Sequence, residues 1–328
     1  MKNIQADIKS GNFKQVYLLY GEEAYLKQQY KQNLVKALNP DGDTMNFNHY
    51  EGKGIDVKQL IDLCETMPFF AEHRVVLLED TGFFKNKCEE LADYMKELPD
   101  YLYLVFAETE VDKRNRMYKA VKACGSIAEF IRQDEKTLMR WAAGILGKAG
   151  KKITQRDMEL LLTKTGTDMG NLRMEMEKLI SYTEGRDVVT AEDIEEICTT
   201  QTTNRIFDMV RAVTEKNQKR ALELYYDLLT LKEPPMRILF LLAKQYRKLL
   251  LAKQFAAAGL AQTEIASKLG VPGFVVRNIT TCARAYTISE LEQAVKDFVD
   301  AEESVKTGRL EDKLSVELLI IKYSSKVK

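Results

Sequence analysis

No sign of charge predominates in this chain of 328 residues, where lysine plus arginine and aspartate plus glutamate each number 49. A balanced chain has no overall field to draw in a polyanion, so any contact with nucleic acid has to be local. Histidine is scarce: His49 and His73 are the only two, and neither stands in a catalytic or metal-ligand motif. That sets aside a histidine-based site. Cys64, Cys88, Cys124, Cys198 and Cys282 are few, odd in number and widely scattered. Such usage excludes a disulfide frame or a zinc knuckle and suits a reducing cytosol. Long apolar runs are missing as well. The longest, residues 101–107 and 238–243, are far too short to span a membrane. The opening residues, Met1-Lys-Asn-Ile-Gln-Ala-Asp-Ile-Lys9, hold no apolar core and are not expected to act as a signal peptide.

What is present is ordinary globular material, with 45% hydrophobic residues. The length exceeds what one core organises, so two or three domains are expected. In the first third, Val16-Tyr-Leu-Leu-Tyr20 reads as a buried strand, followed by Gly21 and a helical pattern through Leu26, Tyr30, Leu34 and Leu38. Further strands are expected at 45–50, 75–78, 101–106 and 126–131, with helices between most of them. Five strands alternating with helices imply a parallel sheet covered on both faces. Residues 112–122, rich in lysine and arginine, read as a wet helix face.

Strand, glycine, helix is where a phosphate-binding loop would stand. Laid on G-x-x-x-x-G-K-[ST], the segment Gly21-Glu-Glu-Ala-Tyr-Leu26-Lys27-Gln28 keeps the first glycine and the lysine. Leu26 replaces the second glycine, which lets backbone N–H groups close around phosphates, and Gln28 replaces the magnesium-binding hydroxyl. Glu22 and Glu23 would repel phosphate at the helix start. A second echo is Val75-Val-Leu-Leu-Glu79-Asp80, where a Walker B strand would end in Asp then Glu. Here the order is reversed.

Between these echoes lies an odd junction. Val57, Leu60, Ile61 and Cys64 form one face of a short helix with Asp56 as its expected N-cap. Pro68 should end that helix, because the residue before a proline avoids the α region. Met67, Pro68, Phe69 and Phe70 are then left in a turn before the strand. Two adjacent rings in a turn either fold back onto the core or are offered to a partner.

From about Asp134 strand signals stop. Four short amphipathic helices follow, with Leu138, Trp141, Ala142 and Ile145 on the first and a cap at Thr154, with Asp157 three residues on, for the second. Leu172, Met176, Leu179 and Ile180 line the third, and Thr190 with Asp193 opens the fourth. Short helices with short loops make a compact bundle. Gly170-Asn-Leu-Arg173 resembles the G-x-[LM]-R start of the third lid helix in AAA+ ATPases, where the arginine senses the terminal phosphate.

The last third is helical. Pro234 and Pro235 start a long helix whose outer face holds Lys244, Arg247, Lys248 and Lys253. Residues 262–277 have the spacing of a helix-turn-helix. Gly273, Phe274 and Val275 stand where polar base-reading side chains would be needed, so two packed helices explain the spacing better. Ser289-Glu-Leu-Glu292 reads as a capping box, and Leu310, Leu314 and Leu318 line the final helix.

Four segments carry a resemblance over the whole chain: Tyr17-Leu-Leu-Tyr-Gly-Glu-Glu-Ala-Tyr-Leu26, Met67-Pro-Phe-Phe-Ala71, Gly170-Asn-Leu-Arg173 and Lys306-Thr-Gly-Arg-Leu-Glu-Asp-Lys-Leu-Ser-Val-Glu-Leu-Leu319. In order and spacing they resemble the delta subunits of the bacterial DNA polymerase III clamp loader. The resemblance implies an AAA+-like α/β domain (a RecA-type parallel sheet) with a degenerate P-loop over residues 1–136. A helical lid over 137–204 and an all-α collar over 205–328 follow. It implies no cofactor and no ATP hydrolysis, with Gly21, Leu26, Lys27, Gln28, Glu79, Asp80 and Arg173 as a nucleotide site that no longer binds. It implies that Met67, Pro68, Phe69 and Phe70 bind the ring-shaped sliding clamp (beta) and open it for loading onto primed DNA. Its partners would be that clamp, the gamma/tau and delta-prime loader subunits, and primer-template DNA through the complex, near Lys244, Arg247 and Lys248. On this basis the turn is read as a partner site. An active ATPase with an altered phosphate loop is disfavoured by Leu26 and Gln28. A helix-turn-helix regulator is disfavoured by the apolar front of its second helix and the balanced charge.

Overall fold

Strands β1 (Val16–Tyr20), β2 (Phe47–Glu51), β3 (Arg74–Glu79), β4 (Leu102–Glu108) and β5 (Ser126–Glu129) form one parallel sheet in the order β2-β3-β4-β1-β5. The computed structural model describes residues 2–199, 202–271 and 273–325. Helix α1 (Lys2–Ser10) precedes β1, and α2 (Ala24–Leu38), α3 (Val57–Glu65), α4 (Glu89–Tyr94) and α5 (Arg116–Cys124) connect successive strands. Alternate side chains of a strand point to opposite faces. Val16, Leu18, Val76, Leu78, Leu104 and Phe106 meet Leu60 and Cys64 of α3, Leu91 of α4, and Met117 and Val121 of α5. Tyr17, Leu19, Val75, Leu77 and Val105 meet Ile4 of α1 and Leu34 and Leu38 of α2. Cover on both faces explains why β1 and β3 read as continuous apolar runs rather than as alternation.

Two of these helices have no counterpart in the sequence expectation. Helix α1 is short and polar, and it is fixed by the fully buried Ile4 and by Asp7, whose carboxylate accepts from the Tyr17 hydroxyl at 2.9 Å. Helix α4 spans six residues, below what periodicity resolves.

Contacts divide the chain into two units, Met1–Gln133 and Asp134–Lys328. The second unit begins with α6 (Glu135–Lys148), α7 (Gln155–Thr165), α8 (Met169–Tyr182) and α9 (Ala191–Ile197), joined by a small parallel pair, β6 (Lys152–Ile153) and β7 (Val188–Val189). Thr154 caps α7 and Thr190 caps α9, each accepting from the backbone N–H of its aspartate three residues on. Next come α10 (Thr202–Thr214), α11 (Gln218–Thr230), α12 (Pro235–Ala257), α13 (Gln262–Leu269), α14 (Gly273–Ala283), α15 (Ile288–Lys306) and α16 (Asp312–Ser324). Their core starts at Ile206 and centres on Leu224, Tyr225, Leu242, Tyr246, Leu291 and Phe298. Among the described residues it takes in none of α6–α9. We propose on that ground a division near residue 204 within the second unit, matching a lid and a collar.

One capping signal falls elsewhere than expected. The box that opens α15 is formed by Thr287 and Glu290, not by Ser289 and Glu292. Both pairs satisfy the same pattern. The cap belongs to the residue whose backbone is still extended, and Thr287 (φ −79°, ψ 165°) is that residue, while Ser289 is already helical. The architecture is otherwise the expected α/β unit on a parallel sheet, followed by helices. Among the described residues no helix is long and apolar enough to cross a membrane.

Candidate functional site

Helix α3 begins on Asp56, whose carboxylate accepts from Lys58 N and Gln59 N, and it stops at Glu65 with Thr66 already extended. Pro68 enforces that stop, and β3 starts at Arg74, so residues 66–73 form the turn. Within it Met67, Phe69 and Phe70 are 75%, 55% and 95% exposed. The rings do not fold back onto the core. They pack edge to face on each other, centroids 4.5 Å apart, and offer one apolar knob to solvent. Phe70 has φ +51°, a left-handed conformation that costs a bulky L-residue about 1–2 kcal/mol. An exposed ring on a strained backbone is a poor use of a phenylalanine for stability alone, and such outliers cluster at functional positions.

Beneath the turn sit two buried polar side chains. The Asn46 amide donates to Phe69 O (2.8 Å) and accepts from Phe69 N (2.7 Å). The Arg74 guanidinium donates to Thr66 O (3.0 Å), Met67 O (3.4 Å) and Asn48 Oδ1 (3.0 Å). Sequence reasoning missed both. The signal available was an arginine set directly before a fully apolar strand, where a buried charge needs partners.

The phosphate-loop echo has a different local structure. Helix α2 starts at Ala24, so Leu26, Lys27 and Gln28 all lie inside it, and only three residues separate it from β1. Little loop remains to wrap a phosphate. Gly21 (φ +126°) lies under the first residue after β5, and a Cβ there would stand 2.3 Å from Phe130 O. Phe130 N donates to Tyr20 O (2.7 Å) and Glu23 N to Phe130 O (3.0 Å), so backbone closes over the turn. Lys27 donates to Glu108 O at 2.8 Å. Burial holds its ammonium below the ordinary lysine range, against the opposing pull of Asp80, Glu108 and Glu79. Glu79 is bound by Lys31 (2.5 Å) and His49 (3.0 Å), and Asp80 accepts from Thr109 N (3.0 Å) and its hydroxyl (2.8 Å). Glu108, whose carboxyl burial pushes up, accepts from Thr81 N (3.0 Å) and the Thr81 hydroxyl (2.6 Å). Glu108 and Lys31 were not singled out from the sequence, since neither stands in a motif. Among the described residues no cluster of His, Cys, Asp and Glu is arranged to hold a metal ion.

In the second unit, Gly170-Asn-Leu-Arg173 forms the start of α8. Asp168 caps it, Asn171 donates to Thr165 O (2.8 Å), and Leu172 is fully buried. Arg173 is partnered on its own helix by Glu177 at 2.8 Å. Along α12, Lys244 and Arg247 are exposed and Lys248 is half-buried. Burial, with Lys244 beside it, holds the Lys248 ammonium below its usual range. None of the three is paired with a carboxylate among the described residues. Lys253 does not belong with them, because it donates to Ala283 O (2.9 Å) and Tyr286 O at the end of α14. In α13 and α14, Ile265, Val276 and Ile279 are buried against α12 and its neighbours, as packing helices require. The Phe274 side chain lies outside the described residues.

Residues 17–130 match the family described as DNA polymerase III, delta subunit, and residues 203–323 match its C-terminal domain. The chain belongs to the DNA polymerase III delta subunit family. It is 26% identical to the DNA polymerase III subunit delta of Bacillus subtilis, over 97% of this chain and 95% of that one. It is 22% identical to a probable DNA polymerase III subunit delta of Aquifex aeolicus, over 78% of this chain and 75% of that one. Among solved structures, the Bacillus subtilis DNA clamp loader delta protein superposes with a TM-score of 0.69 at 23% identity, covering 99% of each chain. That likeness extends the fold over both units. In this delta-family chain the aromatic turn is an exposed apolar feature of the α/β unit, while Lys27, Glu79 and Asp80 of the nucleotide-site echo are each held by neighbours in the fold.

Proposed function

We propose that this chain is the subunit of its clamp loader that grips and opens the sliding clamp, with Phe69 and Phe70 as the anchor and Met67 and Pro68 at its edge. The observation that carries this reading is the solvent-exposed ring pair held on a strained turn. Fully burying two phenylalanines in a partner's pocket contributes about 3–6 kcal/mol by area before ordering costs, enough for a hot spot. Retention of purified sliding clamp by the immobilised chain is the expected result. Absence of any retention at micromolar clamp would remove the reading.

ATP is not expected to bind. The support is the filled turn at Gly21, the helical Leu26–Gln28 stretch, and the local partners that already hold Lys27 (Glu108 O), Glu79 (Lys31) and Asp80 (Thr109). Titration with labelled ATP and magnesium should give no saturable signal. Micromolar binding that vanishes in Lys27→Ala would reverse the conclusion. Arg173, partnered by Glu177, then has no phosphate to sense.

The helical unit would seat the chain among the gamma/tau and delta-prime subunits. In support, Leu314, Leu318 and Ile321 stand exposed at helical spacing on α16. Lys244, Arg247 and Lys248 would meet primer-template phosphates in the assembled loader. Replacing all three by alanine is expected to weaken loader binding to primed DNA at any sequence and to flatten its salt dependence, by about 0.9 in log–log slope for each duplex phosphate no longer neutralised. A sequence-specific footprint from this chain alone would favour a regulator instead.

A further inference from the structure

Left to itself, the aromatic turn has little to hold it. Among the described residues, none of 67–73 makes a backbone–backbone hydrogen bond. Its backbone includes the left-handed Phe70. The bonds that fix it come from side chains outside it. Asn46, 4% exposed, brackets Phe69 with its amide, filling both the N–H and the C=O of that residue as a neighbouring strand would. Its own backbone carbonyl accepts from Val75 N at 2.9 Å, so one residue joins the turn to β3. The amide is aimed by Asp43, whose carboxylate accepts from Asn46 Nδ2 at 2.5 Å. Asp43 is bracketed in the same way by Asn39 at the end of α2, which donates to Asp43 O (2.8 Å) and accepts from Asp43 N (2.9 Å). From the other side Arg74, 5% exposed, holds Thr66 O and Met67 O.

We propose that Asn46 and Arg74 are positioning residues that set the turn in its partner-ready shape before the partner arrives. This rests on the clamp-binding reading above. Each side chain makes two of its three hydrogen bonds to the backbone of 66–69, and neither is exposed to meet a partner. Their effect on binding therefore passes through the rings. A segment ordered in advance loses less freedom on binding, which raises affinity without any added contact.

The test uses the full chain and purified sliding clamp. Asn46→Ala is expected to speed exchange of the Phe69 amide hydrogen at least tenfold in the free chain and to weaken clamp binding roughly three- to tenfold after correction for folded fraction. Arg74→Lys keeps the charge but replaces a planar fork of three nitrogens with a single donor atom, which cannot reach Thr66 O, Met67 O and Asn48 Oδ1 from their separate directions, and it should share both effects to a smaller degree. In a Phe69→Ala/Phe70→Ala background, Asn46→Ala should change clamp affinity by less than twofold, since the rings it positions are gone. A merely structural residue would lower affinity equally in both backgrounds. Unchanged exchange at Phe69, or an equal loss of affinity in both backgrounds, overturns the proposal. Wild-type affinity in the ring double variant itself overturns the clamp reading instead, and is told apart because the exchange measurement needs no clamp.

Discussion

Replacing Phe69 and Phe70 together by alanine is expected to weaken clamp binding at least thirtyfold, about 2 kcal/mol, and to leave the melting temperature almost unchanged. The two halves of the result have one cause. Phe69 and Phe70 are 55% and 95% exposed, so deleting their rings opens no cavity and removes little buried area from the folded chain. Truncating Phe70 leaves its φ of +51° in place, so backbone strain gives no large gain either. In a complex the same rings would be the largest apolar groups the turn can bury. Assembly with the other loader subunits should survive, because in the proposed division it uses the helices from α10 onward. The measurement is a clamp titration beside a thermal melt. A variant that melts many degrees lower yet holds the clamp at wild-type affinity would mean that the rings belong to the core and the site lies elsewhere.

The second large effect is expected at Gly21. Gly21→Ala should cost about 4 kcal/mol and lower the melting temperature of the α/β unit by about 10 °C. A Cβ would stand 2.3 Å from Phe130 O, with Phe130 C and N within 2.9 Å, and all three are backbone atoms that cannot swing aside. The bonds from Phe130 N to Tyr20 O and from Glu23 N to Phe130 O would have to lengthen together. A φ of +126° adds strain of its own. Gly150→Ala is the control: its φ is +74°, but nothing lies within 4 Å of the added carbon, so about 1 kcal/mol is expected. A glycine kept for phosphate would behave in the opposite way. Gly21→Ala would then melt like the wild type and lose nucleotide affinity, and that pair of results would reopen the ATPase alternative.

Local pattern decided much of this molecule. Asp56 caps α3 and Thr190 caps α9 because a short polar side chain beside an extended backbone satisfies N–H groups two or three residues away, and no distant residue is needed. The apolar runs at 16–20 and 75–78 become buried parallel strands because nothing polar interrupts them, and Pro68 ends the preceding helix through its own ring. The resemblance to delta subunits was legible for the same reason, in short motifs with a fixed order.

Other features were settled only by residues brought together from far apart. The pattern T-x-x-E occurs at Thr287 as S-x-x-E does at Ser289, and the first forms the cap because the chain is still extended at Thr287 and already helical at Ser289. Gly21 looks like a phosphate-loop glycine in sequence, and its neighbour is Phe130, about a hundred residues away. Phe69 and Phe70 could have faced inward as well as outward by hydropathy alone. Their exposure follows from a frame that includes Asn46, Phe69 and Arg74 on three different segments. Hydrogen bonds of that range leave no periodic trace, because each depends on where the sheet places its strands, and that placement is a property of the whole fold.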